Sequence, residues 1–147
     1  MNDVEFMKIA IKEAKKAFED GEAKGVGSLI VKDGEIIGMG HNTAKKNEDP
    51  TAHAEINAIR EATLKLKSRR LDGCTLYTTC EPCPMCFSAA WWARISKLVY
   101  GASLVDVIKL GNRQINVSSQ FLNKNASYQM QITGGVLEEE CLELFKE

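Results

Sequence analysis

Hydrophobic side chains recur along the chain at two spacings, one typical of helices and the other typical of strands. Near the N-terminus they recur every three or four residues, which predicts a helix ending near Gly21. Two runs of β-type residues follow, at 26–31 and 35–39. The pair Asp33-Gly34 between them favours a tight turn, so the two strands are predicted to be antiparallel neighbours.

Later segments continue this alternation. Asp49-Pro50 offers an N-cap residue followed by a proline for the first turn, which predicts a second helix from about Pro50 to Leu66. The remaining elements are predicted as strands at 74–79, 97–101 and 128–133 and as helices opening at Glu81-Pro82 and spanning 104–110 and 137–145. We interpret residues 112–127, which are rich in Asn and Ser, as a loop that lies over the functional site. The alternation indicates an α/β layer sandwich with a mixed sheet.

Composition limits the classes of protein that remain. A length of 147 residues suits one domain spanning 1–147, and no apolar run approaches the roughly 18 residues of a membrane span. Charged residues interrupt 1–18, which therefore lacks the apolar core of a secretory signal, and we expect a cytoplasmic protein with no membrane partner. The formal net charge of -1 gives no general attraction for a polyanion, so nucleic acid is a disfavoured partner.

The cysteine and histidine residues point to a metal site. Three of the five cysteines lie within 80–86, too close together for an ordinary disulfide framework, which suggests a reduced compartment. Zinc favours nitrogen and thiolate ligands, and catalytic zinc sites keep three protein ligands and one position for water. His53, Cys83 and Cys86 supply that set, each near the predicted start of a helix. We predict one Zn²⁺ per chain.

Glu55, two residues after His53, is the candidate proton carrier. Zinc lowers the pKa of a bound water to roughly 7, but a base is still needed to move protons. A carboxylate can take the water proton and pass protons to a ring nitrogen and to a leaving amine. The pattern His-x-Glu followed by Pro-Cys-x-x-Cys is typical of zinc-dependent deaminases, in which the glutamate is not a ligand.

Other interpretations of the same residues remain open. An iron–sulfur motif would continue the spacing of Cys80, Cys83 and Cys86 with another cysteine at position 90, where this chain has Ala90. A closed structural zinc site could take Cys80 as its fourth ligand, and a metal-free protein could bury the same side chains. The other two cysteines are predicted core residues, namely Cys74 and Cys141.

At these motifs the chain resembles the cytidine deaminase-like superfamily, within it the branch of guanine deaminases, tRNA adenosine deaminases and fungal-type cytosine deaminases. The likeness runs from Met1 to about Ala102 and is most specific at 49–55, 79–86 and 92–94. It implies a three-layer α/β/α sandwich with a mixed sheet of about five strands. It also implies a homodimer.

By this resemblance three further residues contact the substrate. Asn42 binds a base edge, the Ala54 amide meets a carbonyl oxygen, and Trp92 stacks near the ring. Asn42 could instead close a turn, and Trp92 could be core packing. After Gly111 the likeness weakens, because guanine deaminases have an acidic residue where this chain has Asn-Arg-Gln at 112–114.

We therefore predict hydrolytic deamination of a guanine-like or cytosine-like ring, as a free base or nucleoside, in nucleobase salvage. The alternative is a tRNA-specific adenosine deaminase, and a third hypothesis is a non-catalytic zinc module. The tRNA enzymes of this branch usually end in a basic tail, whereas residues 138–147 carry five glutamates, which repel phosphates. An intact Glu55 argues against the non-catalytic module.

Overall fold

The computed structural model describes residues 1–146, which form five strands and eight helices. The strands are β1 (Gly27–Lys32), β2 (Glu35–His41), β3 (Thr75–Cys80), β4 (Lys97–Ala102) and β5 (Gln131–Thr133). The helices are α1 (Asp3–Ala14), α2 (Lys16–Glu19), α3 (Ala44–Asn47), α4 (Ala54–Leu66), α5 (Pro84–Trp92), α6 (Leu104–Lys109), α7 (Ser119–Lys124) and α8 (Glu138–Glu143). Within this described part, no helix combines the length and the apolar character needed to cross a membrane.

One mixed sheet contains the five strands in the order β2-β1-β3-β4-β5. β1 pairs antiparallel with β2 and with β3, whereas β3 with β4 and β4 with β5 are parallel pairs. Asp33 and Gly34 join β1 to β2 with positive φ angles of 50° and 78°, as a tight two-residue hairpin requires, which confirms the predicted hairpin. The parallel pairing brings the C-terminal ends of β3 and β4 together, with Cys80 beside Ala102. Ligands of α/β proteins commonly bind beyond such strand ends.

Helices cover both faces of the sheet, which confirms the three-layer sandwich. The core on one face joins α1 and the C-terminal region to the sheet and includes Phe6, Met7, Leu29, Val99 and Leu144. The core on the other face joins α4 and α5 to the sheet and includes Ile30, Ala58, Ala62, Phe87 and Leu98. The neighbours Leu29 and Ile30 belong to different cores because successive strand residues point to opposite faces.

The helix at the first metal motif begins later than the sequence predicted. α4 starts at Ala54, because the preceding residues form a turn in which Asp49 Oδ1 accepts a hydrogen bond from Thr51 N at 2.9 Å. His53 is therefore the N-cap of α4 and lies just outside the helix. The predicted start at Pro50 was wrong because an Asp-Pro pair also suits a turn.

The segment 112–127 is not entirely a loop, because α7 lies within it. Its N-cap Ser118 accepts a hydrogen bond from Phe121 N, and Leu122 packs against the α4–α5 core. A helix of six residues is too short to show a helical period in its apolar positions. The sequence also missed α3, another short helix, and it made β5 longer than Gln131–Thr133.

Gly27 allows α1 to pack closely against β1. A methyl group there would overlap the Ala10 carbonyl oxygen and lie 2.6 Å from Ala14 N. Because both atoms belong to a helix backbone and cannot move aside, we expect Gly27→Ala to lower the free energy of unfolding by about 3 kcal/mol. Urea denaturation measures this loss.

Gly73→Ala is the control for that variant. A methyl group at Gly73 meets nothing within 4 Å, but its φ of +76° should cost about 1 kcal/mol. Equal losses in the two variants would contradict the close approach of α1 to β1.

Candidate active site

Two helix starts meet near the ends of the central strands and bring three metal-binding side chains together. His53 is the N-cap of α4 and Cys83 is the N-cap of α5, both with extended backbones. Pro84 occupies the first position of α5, where its missing N–H costs no helical hydrogen bond, and Cys86 follows in the same turn. The ligand atoms of His53, Cys83 and Cys86 all lie within 4.8 Å of one another, so they are positioned to bind a metal ion.

The distances between these atoms suit tetrahedral zinc. His53 Nδ1 lies 3.7 Å from Cys83 Sγ and 3.5 Å from Cys86 Sγ. Ordinary tetrahedral zinc bonds hold a nitrogen and a sulfur ligand about 3.6 Å apart. Cys80, the candidate fourth ligand of a closed site, instead donates its S–H to the Glu81 carbonyl oxygen at 3.4 Å. Three protein ligands leave a coordination position for water, as in catalytic zinc sites.

The electrostatics of the cysteine pair favour a thiolate. A hydrogen bond from the Cys86 thiol, aided by one from His53, holds the pKa of Cys83 well below its usual range, although burial opposes the shift. Zinc binds cysteine in its thiolate form, so proton release from a ligand with a low pKa costs little at neutral pH.

Glu55 lies in the first turn of α4 with only 4% of its surface exposed. Burial, and then the negative charge of Cys83, raises the pKa of the Glu55 carboxyl to about 7. A general acid or base works best when its pKa is close to the working pH, because it must both accept and release the proton. This carboxyl is suited to moving protons near neutral pH.

A cavity of about 780 Å³ opens over Glu55 and the metal-binding residues. This volume falls within the roughly 300–1,000 Å³ of typical small-molecule pockets. One part of the wall comes from residues before β3, which are Glu22, Lys24, Val26, Asn42, Ala44, Pro50, His53, Ala54 and Glu55. The other part comes from Cys80, Glu81, Cys83, Pro84, Met85, Asn112, Arg113, Gln114, Ile115 and Phe145.

Asn42 and Ala54, to which the resemblance assigns substrate contacts, both lie at this cavity. Asn42 Oδ1 accepts a hydrogen bond from Val26 N at 2.8 Å, and its Nδ2 donates to Lys24 O at 2.9 Å. These bonds fix the side chain and leave one N–H and one oxygen lone pair of its amide for a ligand. The N–H of Ala54 is the first of α4 and has no acceptor within the helix.

The structure does not bring Trp92 to the cavity. Its side chain is 75% exposed and lines a separate depression together with Leu64 and Arg69. Trp92 ends α5, and the nine-residue length of this helix separates it from the start at Cys83 by roughly 13 Å. Neither stacking on a substrate bound in the same chain nor core packing fits this position. The homodimer implied by the resemblance stays a prediction.

Several residues of the wall carry no motif in the sequence. Lys24 and Phe145 lie 121 positions apart in the sequence but are in contact, because Lys24 Nζ donates a hydrogen bond to Phe145 O at 3.0 Å. Arg113 lies in the segment where the resemblance weakens. Within residues 1–146, none of the glutamates of α8 lines the cavity. Lys24, Arg113 and Phe145 reach the cavity through the packing of distant parts of the chain, which no local spacing in the sequence predicts.

Comparison with known proteins identifies the class to which this fold and site belong. Residues 1–102, about two thirds of the chain, match the model of the cytidine and deoxycytidylate deaminase zinc-binding region. The chain therefore belongs to this family of zinc-binding deaminases. His53, Glu55, Cys83 and Cys86 all lie within the matched residues.

Individual relatives act on different substrates. A tRNA-specific adenosine deaminase of Aquifex aeolicus is 52% identical over 97 residues, which are 66% of this chain and 64%, less than two thirds, of that protein. A guanine deaminase of Bacillus subtilis is 45% identical over 111 residues, or 76% of this chain and 71% of that protein. A solved structure from work on A-to-I editing by tRNA:A34 deaminases has a TM-score of 0.80 at 34% identity and covers 95% of this chain and 98% of its own. These relatives support a nucleobase or nucleoside deaminase.

Removal of one ligand tests the metal site. We expect one zinc ion per chain in protein purified without chelators, and its loss in Cys83→Ala, because two protein ligands do not hold zinc tightly. Cys74→Ala is the matched control, since Cys74 is buried outside the cluster. Elemental analysis gives both results, and iron in the wild-type protein would contradict the assignment.

Proposed function

We propose that the chain hydrolyses the exocyclic amine of a guanine-like or cytosine-like ring, presented as a free base or nucleoside, and releases ammonia in nucleobase salvage. The observation that carries this proposal concerns the basic residues on which tRNA binding would depend. They are Lys45, Lys46, Lys65, Lys67, Arg69 and Arg70. Within residues 1–146, none of the six lines the cavity.

Most of these basic groups already have partners. Lys45 donates to a backbone carbonyl oxygen at 3.2 Å, and the amino groups of Lys46 and Lys65 lie 3.7 and 3.9 Å from carboxylate oxygens. Arg70 makes two hydrogen bonds to Asp72, at 2.9 and 2.8 Å. RNA phosphates would have to compete with these partners, and several phosphate contacts are needed for binding. A substrate without phosphates avoids that competition.

The residues at the cavity suit the proposed reaction. His53, Cys83 and Cys86 would hold the zinc ion, which would lower the pKa of a water at this site to roughly 7 and so supply the nucleophile. Glu55 accepts one proton from the attacking water and delivers it to a ring nitrogen. It then takes the proton of the newly added hydroxyl and passes it to the amine, which leaves as ammonia while the ring carbon becomes a carbonyl. Each transfer needs a carboxyl that changes protonation easily, and the raised pKa of Glu55 supports this role.

Two further groups are proposed to orient the ring. The Ala54 N–H donates a hydrogen bond to a ring carbonyl oxygen from the start of α4, where the helix dipole favours negative charge. Asn42 binds a base edge with the amide N–H and lone pair that its bonds to Lys24 and Val26 leave open. Trp92 has no part in this proposal.

The second candidate is deamination of adenosine in tRNA. It is favoured by the higher identity of the tRNA-specific adenosine deaminase of Aquifex aeolicus, 52% over 97 residues, against 45% over 111 residues for the guanine deaminase of Bacillus subtilis. Arg113 lines the cavity and is a cation that a phosphate could contact.

Replacement of Glu55 tests the proton transfer. We expect Glu55→Gln to lower kcat by about 10² to 10⁴-fold with unchanged zinc content, because an amide still hydrogen-bonds but cannot carry the proton. Glu61→Gln makes the same change at an exposed position of α4 and is the matched control. A loss of less than about tenfold in Glu55→Gln would exclude the usual contribution of a general base.

A substrate panel separates the two candidates. We expect ammonia release from at least one of guanine, cytosine, adenine or their nucleosides, and no inosine formation in a tRNA anticodon arm offered at physiological salt. The absence of phosphate from the first group is the physical reason for the difference. Comparison of kcat/KM for all substrates decides it, and turnover of the anticodon arm alone would establish the tRNA function instead.

A further inference from the structure

Glu81 is a buried carboxylate whose two oxygens hold two distant parts of the chain. It follows β3 directly, and its own N–H donates to Ala102 O at the end of β4 at 2.7 Å. Its Oε1 accepts a hydrogen bond from Leu104 N at 3.0 Å, and its Oε2 accepts one from Ser119 N at 2.8 Å. Glu81 is 4% exposed, so it bridges these two backbone groups away from bulk water.

Both donors are the first residues of helices. Leu104 begins α6 and Ser119 begins α7, and N–H groups at that position have no acceptor inside their helix. The serine N-caps of the two helices accept hydrogen bonds from later N–H groups, those of Asp106 and Phe121. Glu81 therefore satisfies donors that the serines do not, and its charge suits two helix starts.

The chain between these two helix starts forms one wall of the cavity. Its middle, residues 112–115, lines the cavity above Glu55. In the described part of the chain, the hydrogen bonds of residues 111–118 stay within residues 107–122. The bonds to Glu81 therefore fix both ends of this wall to the strand end that precedes Cys83.

We propose that Glu81 is a positioning residue that holds the wall formed by residues 112–115 against the substrate. This inference rests on the proposed function, because it requires that the substrate occupies this cavity. Glu81 acts through the two helix starts and leaves the chemical step to Glu55. Loss of one bond to Glu81 therefore weakens substrate binding without slowing turnover at saturating substrate.

Ser119→Pro removes one of the two bonds selectively. Proline is well tolerated at the first position of a helix, and the extended backbone of Ser118, with φ -72° and ψ 154°, suits a residue before proline. The substitution deletes the N–H that donates to Glu81 and removes no hydrogen bond of α7 itself. Ser119→Ala is the matched control, because it keeps the N–H and removes only a buried hydroxyl that has no partner.

We expect Ser119→Pro to raise KM at least about tenfold, the equivalent of about 1.4 kcal/mol, with kcat within about threefold of the wild type. Zinc content should remain one per chain. Amide hydrogen exchange at residues 111–118 should become faster in Ser119→Pro and stay unchanged in Ser119→Ala. A merely structural role would not separate KM from kcat in this way.

Glu81→Gln is the second variant and decides the question if Ser119→Pro does not fold. Its amide group accepts at only one end, so one of the two helix starts loses its partner. Exchange at 111–118 and KM that both match the wild type in a folded variant would overturn the inference. If the wild-type protein deaminates no base or nucleoside, the proposed function is wrong. If the wild-type protein is active but hydrogen exchange is unchanged in the variants, only the positioning role of Glu81 is overturned.

Discussion

Close packing of α4 on β2 determines where the reactive groups lie. A methyl group at Gly38 would overlap the Ala58 carbonyl oxygen, and one at Gly40 would lie 2.8 Å from the Ala54 carbonyl oxygen. The helix backbone therefore rests directly on the strand, and larger residues would lift it away. Because this contact continues to the first turn of α4, it fixes the position of the N-cap and of the buried Glu55 relative to β2. The distances in the metal cluster depend on that position.

Two buried carboxylates near this contact have different properties because their surroundings differ. Glu81 accepts hydrogen bonds from the N–H groups of two helix starts. Glu55 is as deeply buried, but burial and the charge of Cys83 raise its pKa to about 7. A carboxylate whose two oxygens both accept backbone N–H groups holds backbone in place, whereas one that titrates near neutral pH moves protons. The same residue type thus supplies both the positioning and the chemistry of one cavity.

The sequence predicted the metal cluster well because its ligands lie in short motifs at helix starts. The alternation of patterns also predicted the mixed sheet, and the resemblance implied the layers of helices on its two faces. Prediction from the sequence failed where the position of an element depends on distant contacts. α7 has too few residues to show a helical period, and Asp49-Pro50 forms a turn before α4. The resemblance suggested a substrate contact for Trp92, but α5 carries this side chain away from the cavity. Helix length, and not residue type, decides that outcome.

The cavity combines two parts of the chain that differ in how far they match the family. The metal-binding residues and Glu55 lie within residues 1–102, the part that the family model covers. Residues 112–115 and Phe145 complete the wall from outside that part. The metal-binding residues, Glu55 and the groups proposed to orient the ring thus come from one segment, while a second segment completes the wall. Glu81 connects the two segments physically, because it belongs to the first and binds both ends of the wall in the second.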